Sequence, residues 1–276
     1  MKSPRPARLA SRAVAVALAA LLGFAGLGAA RAHAANLPTI VFVHGAFADA
    51  SGWREVAERL AAEGYPVRTY DNPLRGPASD AAGLRALLDG IAGPIVLVGH
   101  SYGGAVITNT HDPDVRANVY VAAFAPDRGE FVQGLLNPIT YPGSRLLPPA
   151  LQLTPVPDAN SPVGTNLDGY IAEDSFHEVF CQDVSPAVAA DMYAHQKSAA
   201  LQANLEPSGT PSWSDTPSWY LVSRQDRVIP PDLQRMMAGR AAPGRTSEVD
   251  ASHVVMMSQP AAVADLIRTA LGSLSG

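Results

Sequence analysis

Ile95-Val96-Leu97-Val98-Gly99-His100-Ser101-Tyr102-Gly103-Gly104-Ala105-Val106 passes from an apolar, β-branched run through Gly-His-Ser-Tyr-Gly into a stretch of small residues. The pattern predicts a buried strand, a sharp turn carrying Ser101, and a helix. A serine that is to act as a nucleophile must stand proud of the sheet on such a turn, in a strained backbone conformation. Bulky side chains two residues to either side would collide there, which accounts for Gly99 and Gly103. Gly104 and Ala105 let the helix pack close to the strand. Its first N–H groups then point to where negative charge would develop.

Strand and helix signals alternate on both sides of this turn. Thr39 to Val43, Tyr65 to Tyr70, Ala117 to Phe124, Ser218 to Ser223 and Arg245 to Val249 are short runs that predict strands. Helical spacing or helix-start signals appear near Ser51 to Gly64, Asp80 to Ile91, Tyr102 to Thr110, Pro231 to Gly239 and Pro260 to Leu271. Such alternation predicts an α/β fold with a mostly parallel, doubly wound sheet and right-handed crossovers. The rhythm breaks between about residues 127 and 216. Pro138, Pro142, Pro148, Pro149, Pro155, Pro157 and Pro162 interrupt any long element there, and only Leu167 to Phe180 and Pro186 to Leu201 look helical. A connection of this length predicts an inserted cap over the catalytic end of the sheet.

The chain has 276 residues and one cysteine. Lys2, Arg5, Arg8 and Arg12 precede an unbroken small and apolar run from Ala13 to Ala30, and Ala32-His33-Ala34 is a small-x-small cleavage site. This is the pattern of a signal peptide over residues 1–34, with a secreted or periplasmic destination. No adjacent arginine pair indicates twin-arginine export. The remaining 242 residues fit one domain spanning 35–276, and loss of five positive and no acidic residues takes the formal charge from −5 to −10. An acidic exported chain of this kind is a poor candidate for nucleic acid or for an anionic membrane surface. Cys181 has no partner within the chain and reads as a small buried apolar residue. Phosphate-loop, zinc and Gly-x-Gly-x-x-Gly signatures are missing, so no cofactor or metal is expected.

A serine hydroxyl needs a base to take its proton, and the base needs an acid to hold its tautomer. On a sheet of this kind the order along the chain is serine, acid, histidine, each just after a strand. Ser101, Asp226 and His253 meet that order. Among the histidines, His33 leaves with the signal, His44 sits in the first strand-end turn, and His100 adjoins the serine and faces elsewhere. His111 lies beyond the nucleophile helix, and His177 and His195 fall in the cap. Asp127 is the alternative acid, whereas Asp250 is too close in sequence to reach round the His253 ring. Two backbone N–H groups must meet the oxyanion. One is that of Tyr102, and the other that of Ala46, with Phe47 as alternative. His44 and Phe47 are candidate substrate-binding residues. Phe47 and Trp53 read either as core or as the wall of an acyl pocket.

Several of these segments together resemble the α/β-hydrolase superfamily, close to its methylesterase/hydroxynitrile-lyase branch and to related bacterial esterases. They are Val43-His44-Gly45-Ala46 with Trp53, Gly99-His100-Ser101-Tyr102-Gly103-Gly104, Ala125-Pro126-Asp127-Arg128-Gly129-Glu130, Asp226-Arg227-Val228-Ile229-Pro230-Pro231 and Ser252-His253. The resemblance implies a serine hydrolase acting on small-molecule carboxylic esters through an acyl-serine. It also leaves open a cofactor-free perhydrolase, a hydroxynitrile-lyase-like enzyme and a non-catalytic ligand-binding member. The lyases of the branch carry a lysine directly after the catalytic histidine and a threonine at the position of Gly45. Here Val254 follows His253, and Lys197 is the single lysine beyond the signal-like stretch. Processing at the cleavage site is open to direct test. Intact mass of protein recovered from periplasm or medium should correspond to a chain beginning at Ala35, and a full-length membrane-bound form would refute the expectation.

Overall fold

The computed structural model describes residues 37–158 and 163–274. The signal-like stretch and its cleavage site lie outside them. Six strands form the main sheet: β1 (Thr39–Val43), β2 (Val67–Tyr70), β3 (Ile95–Ser101), β4 (Val115–Ala123), β8 (Ser218–Ser223) and β9 (Thr246–Val249). Their order is β2-β1-β3-β4-β8-β9, and every pair is parallel. Helices cover both faces: α1 (Arg54–Ala62), α2 (Pro77–Leu88), α3 (Tyr102–Thr108), α8 (Pro231–Ala241) and α9 (Pro260–Gly272). A sheet covered on both faces needs continuous apolar strands, and every residue of β1, β3 and β8 is buried. The chain leaves β1 for one edge of the sheet and returns through β3 toward the other. The crevice at the carboxyl ends of β1 and β3 is therefore the switch point of the topology.

The connection between β4 and β8 departs from its expected form. It contains α4 (Val132–Leu135) and a second, antiparallel sheet of β5 (Leu151–Pro157), β6 (Thr165–Ile171) and β7 (Ala199–Ala200) in that order. It also carries α5 (Glu173–Phe180), α6 (Pro186–Ala194) and α7 (Leu201–Leu205). The expected helix from Leu167 to Phe180 is thus a strand up to Ile171 and a helix only afterwards. Gly169 weakens helix in this stretch, and pairing with β5 and β7 satisfies its backbone instead. The expected helix from Pro186 to Leu201 stops at Ala194. Pro155 and Pro157 sit inside β5, which tolerates them because it is an edge strand. Among the described residues, no helix is long and apolar enough to cross a membrane.

The turn at Ser101 dictates what packs around it. Ser101 has φ 53° and ψ −124°, outside the regions an L-residue occupies without strain. A Cβ on Gly99 would lie 2.7 Å from the Gly103 carbonyl oxygen. One on Gly103 would lie 2.9 Å from the His44 carbonyl oxygen, and one on Gly104 2.7 Å from Ala123 Cβ and closer still to the Phe124 oxygen. The elbow and the start of α3 thus touch β1 and β4 through bare backbone. The register of β3 on β4 shifts at this level, from His100↔Val121 to Ser101↔Ala123, and the skipped Ala122 takes φ 43°. The Tyr220 hydroxyl clamps the bulge by bonding Ala123 N and O. Gly104→Ala should cost about 3 kcal/mol of stability in urea unfolding, because backbone must move to admit the methyl. Gly239→Ala, in α8 with open space around it, should gain about 0.5–1 kcal/mol in the same measurement.

Candidate active site

Ser101 is 4% exposed and lies at the floor of a cavity of about 610 Å³, open mouth included. Core and cap share the lining. Ala46, Phe47, Tyr102, Phe124 and Val228 come from the strand ends. Val132, Leu136, Leu146, Leu151, Leu153 and Leu201 come from the connection, with Gln133 and Asn204 as its polar side chains. None of the lining residues carries a charge. Ser101 Oγ has no hydrogen-bond partner among the described residues, and it would stand 3.2 Å from a Cβ on Gly45.

His253 lies in the turn after β9, and Asp226 in the turn after β8. Their side chains meet: His253 Nδ1 is 2.8 Å from Asp226 Oδ2, and both side chains are fully buried. A carboxylate only accepts, so Nδ1 carries the hydrogen and Nε2 is the bare nitrogen. That Nε2 is buried and has no partner among the described residues; no hydrogen bond joins it to Ser101 Oγ in this structure. Burial of the Asp226 carboxylate is offset by three further donors. Val228 N at 2.7 Å and Ile229 N at 3.0 Å bond Oδ1, and Gln234 Nε2 at 2.8 Å bonds Oδ2. The Val228 and Ile229 bonds form because Asp226 begins a tight turn into α8. Gln234, one turn into that helix, is wholly buried; its Nε2 also bonds Ile229 O, and its Oε1 accepts from Ser223 N. No sequence motif marks Gln234. Its only signal is a position facing back toward the strand end it follows.

The two other acids are elsewhere. Asp127 is exposed, its carboxylate turned to the Arg128 N–H, and Asp250 pairs with Arg224 at 2.8 Å. Of the backbone groups considered for an oxyanion, Ala46 N–H and Tyr102 N–H have no partner among the described residues, while Phe47 N–H donates to Lys197 O at 3.1 Å. Phe47 holds φ 60°, which turns its ring into the cavity wall, 6.4 Å from Phe180. Tyr102 points away from the cavity mouth: its hydroxyl donates to buried Asp80 at 2.8 Å. Burial raises the Asp80 pKa and raises that of Tyr102 well above the usual phenol range.

His44 does not line the cavity. Its Nδ1–H donates to Gly45 O at 2.9 Å and its Nε2 accepts from Asn72 N at 2.9 Å, so both ring nitrogens are spent on the strand-end loop. Burial lowers its pKa, in keeping with a neutral ring. Trp53 is core, 0% exposed and 4.9 Å from the Phe42 ring. Lys197 is tied to Asp71 at 2.5 Å and to Asn72 O at 3.0 Å. Cys181 is buried, and burial pushes its thiol up to about 12. Among the described residues, no group of histidine, cysteine and acidic side chains is arranged to hold a metal.

Comparison with known proteins places this geometry. The chain is 33% identical over 115 residues to a carbendazim hydrolyzing esterase of Nocardioides sp. (strain SG-4G), covering 36% of this chain and 48% of that protein. It therefore spans about half the length of that relative. Methylesterase 8 of Arabidopsis thaliana is 24% identical over 260 residues, covering 82% of this chain and 86% of the other. The crystal structure of polyneuridine aldehyde esterase superposes with a TM-score of 0.72 at 17% identity, over 85% of this chain and 99% of that one. A sequence profile described as the alpha/beta hydrolase family matches residues 40–266. Strand order, elbow and profile agree, and the chain belongs to the alpha/beta hydrolase family.

Proposed function

We propose that this protein is a carboxylic-ester hydrolase that works through an acyl-Ser101 intermediate, with His253 as base and Asp226 as its orienting acid. One observation carries the reading. At the floor of an uncharged cavity, a strained serine with a free hydroxyl lies beside two unspent backbone N–H groups. The bare nitrogen of His253, backed by Asp226, completes the set. In the reaction, Ser101 Oγ attacks the ester carbonyl carbon as His253 Nε2 takes its proton. The carbonyl oxygen becomes an anion met by Ala46 N–H and Tyr102 N–H. His253 then gives the proton to the departing alcohol oxygen, and water, deprotonated by the same nitrogen, releases the acid. The missing bond between Oγ and Nε2 is compatible with this, because such contacts tighten on substrate binding. The names of the relatives favour an ester as substrate. The apolar wall favours one with a hydrocarbon acyl or alcohol part. Export with removal of residues 1–34 is part of the proposal, resting on the sequence pattern.

Turnover of p-nitrophenyl esters of graded chain length tests the assignment. Ser101→Ala should lose on the order of 10⁶ in kcat, and a fluorophosphonate should label Ser101 of the wild type. Asp226→Asn should lose about 10⁴, by presenting the wrong tautomer, while Asp127→Asn should stay near wild type. A severe Asp127→Asn and a silent Asp226→Asn would move the acid to Asp127.

Hydrolysis is favoured over cyanohydrin cleavage on a specific ground. The residue after His253 is Val254, apolar and buried, and the ammonium of Lys197 is held by Asp71 outside the cavity lining. A departing cyanide would find no lysine ammonium to meet it. A threonine at position 45 would also collide with the elbow, since even a Cβ there lies 2.6 Å from Ser101 Cβ. Benzaldehyde release from mandelonitrile should stay at the level of the Ser101→Ala blank under conditions where a short aryl ester is hydrolysed; comparable rates would overturn the preference.

A further inference from the structure

His100 is fully buried one residue before the nucleophile, and its Nε2 lies 2.9 Å from the backbone oxygen of His253. The carbonyl only accepts, so Nε2 carries the hydrogen and donates it. The two imidazole rings are 4.6 Å apart, centre to centre. The Trp53 ring also packs against the His100 ring, 6.3 Å away and at 84° to it. The remaining nitrogen, Nδ1, is buried without a partner among the described residues. A core position chosen for packing alone would hold an apolar side chain, because an unpaired buried polar atom costs about 1–3 kcal/mol. This side chain bears that cost and, among the described residues, makes a single hydrogen bond, to the residue that carries the base.

The bond matters because of how the His253 turn is held. Its neighbours are anchored: Ser252 N donates to Asp183 Oδ2 at 2.7 Å, and Ala251 O accepts from Gln225 N at 3.0 Å. No backbone N–H among the described residues reaches the His253 carbonyl. Asp226 fixes the ring at Nδ1, and His100 fixes the backbone from which the ring hangs. Together they set the direction of Nε2.

We propose that His100 is a positioning residue for the reaction, holding the His253 backbone through its Nε2–H so that Nε2 of His253 faces Ser101. The role rests on the assignment of Ser101 and His253 given above. A neutral ring is what the position requires, since a second cation at this distance would oppose protonation of His253 during turnover. Burial, and then the charge of His253, hold the His100 pKa well below the ordinary histidine value.

Two amide variants separate positioning from simple packing. The amide nitrogen of His100→Gln stands as many bonds from the backbone as the histidine Nε2 and can donate to the same carbonyl. That of His100→Asn falls at the place of Nδ1 and cannot. With p-nitrophenyl acetate, His100→Gln should keep kcat within about threefold of wild type, and His100→Asn should lose about 30-fold or more, with KM within about twofold in both. Thermal melting followed by circular dichroism checks that both variants fold. Equal losses in the two, or wild-type kcat in His100→Asn, would overturn the proposal. A measurement on the wild type stands apart from any folding defect. Nitrogen-15 NMR of labelled histidine at neutral pH should find His100 protonated at Nε2, and an Nδ1–H tautomer would refute the bond. Wild-type turnover by Ser101→Ala would sink the site assignment itself. An inactive Ser101→Ala beside equal losses in Gln and Asn would remove only the role of His100.

Discussion

The backbone at Ser101 is the constraint on which the rest of this structure depends. A residue at φ 53° between a strand and a helix is unfavourable and persists only where its surroundings leave no alternative. Here the surroundings are bare backbone. With side chains absent at Gly45, Gly99, Gly103 and Gly104, β1, β3, α3 and the end of β4 approach within a distance that a single methyl group would forbid. The fully buried strands on either side hold them there. The left-handed Ala122 and the Tyr220 hydroxyl at the β4 bulge belong to the same arrangement, because they lower the Phe124 carbonyl onto Gly104.

The second half of the site depends on the connection between β4 and β8. Arg75, in the loop after β2, grips Asp168 of β6 through two bonds of 2.9 and 2.6 Å, and Ala200 N bonds Leu74 O at 3.0 Å. Asp168 is almost wholly buried, so loss of its partner would leave an uncompensated charge, a far larger penalty than the pair itself is worth. These ties fix the segment whose Lys197 carbonyl takes the Phe47 N–H. The Phe47 N–H is thereby spent and its ring fixed as a wall, leaving the Ala46 N–H free. The connection thus shapes the cavity floor as well as its roof, and Phe180 of α5 packs 5.1 Å from the His253 ring.

Much of this was legible in the chain because local pattern and tertiary role coincide. Apolar runs such as Thr39 to Val43 and Ser218 to Ser223 could serve only as buried strands, and the glycines at 99, 103 and 104 mark a close approach wherever they occur. The positions of Asp226 and His253 after successive strands put them at one end of the sheet. What failed to show is what depends on distant partners. Leu167 to Ile171 is a strand because β5 and β7 flank it, and Asp168 can be buried there because Arg75 reaches it from 93 residues away. His44 looked available for substrate because the sequence gives no hint that Asn72 occupies its ring. Gln234 and His100 were invisible as supports, since each acts on a group brought to it only by folding.

Placement of charge ties these features to the chemistry. The cavity lining holds none, so any charge formed there must be met by groups already aimed at it. Ester hydrolysis creates one anion and one cation. On the proposed reading the anion forms on the carbonyl oxygen above Ser101, where two N–H groups and the start of α3 wait. On the same reading the cation forms on His253, where Asp226 waits inside a shell of three donors. Nothing in the wall would stabilise a third charge, and the lysine that could do so is neutralised by Asp71. With His253 acting as proposed, a site built this way suits reactions whose leaving group departs neutral, protonated by that histidine, and an alcohol does that.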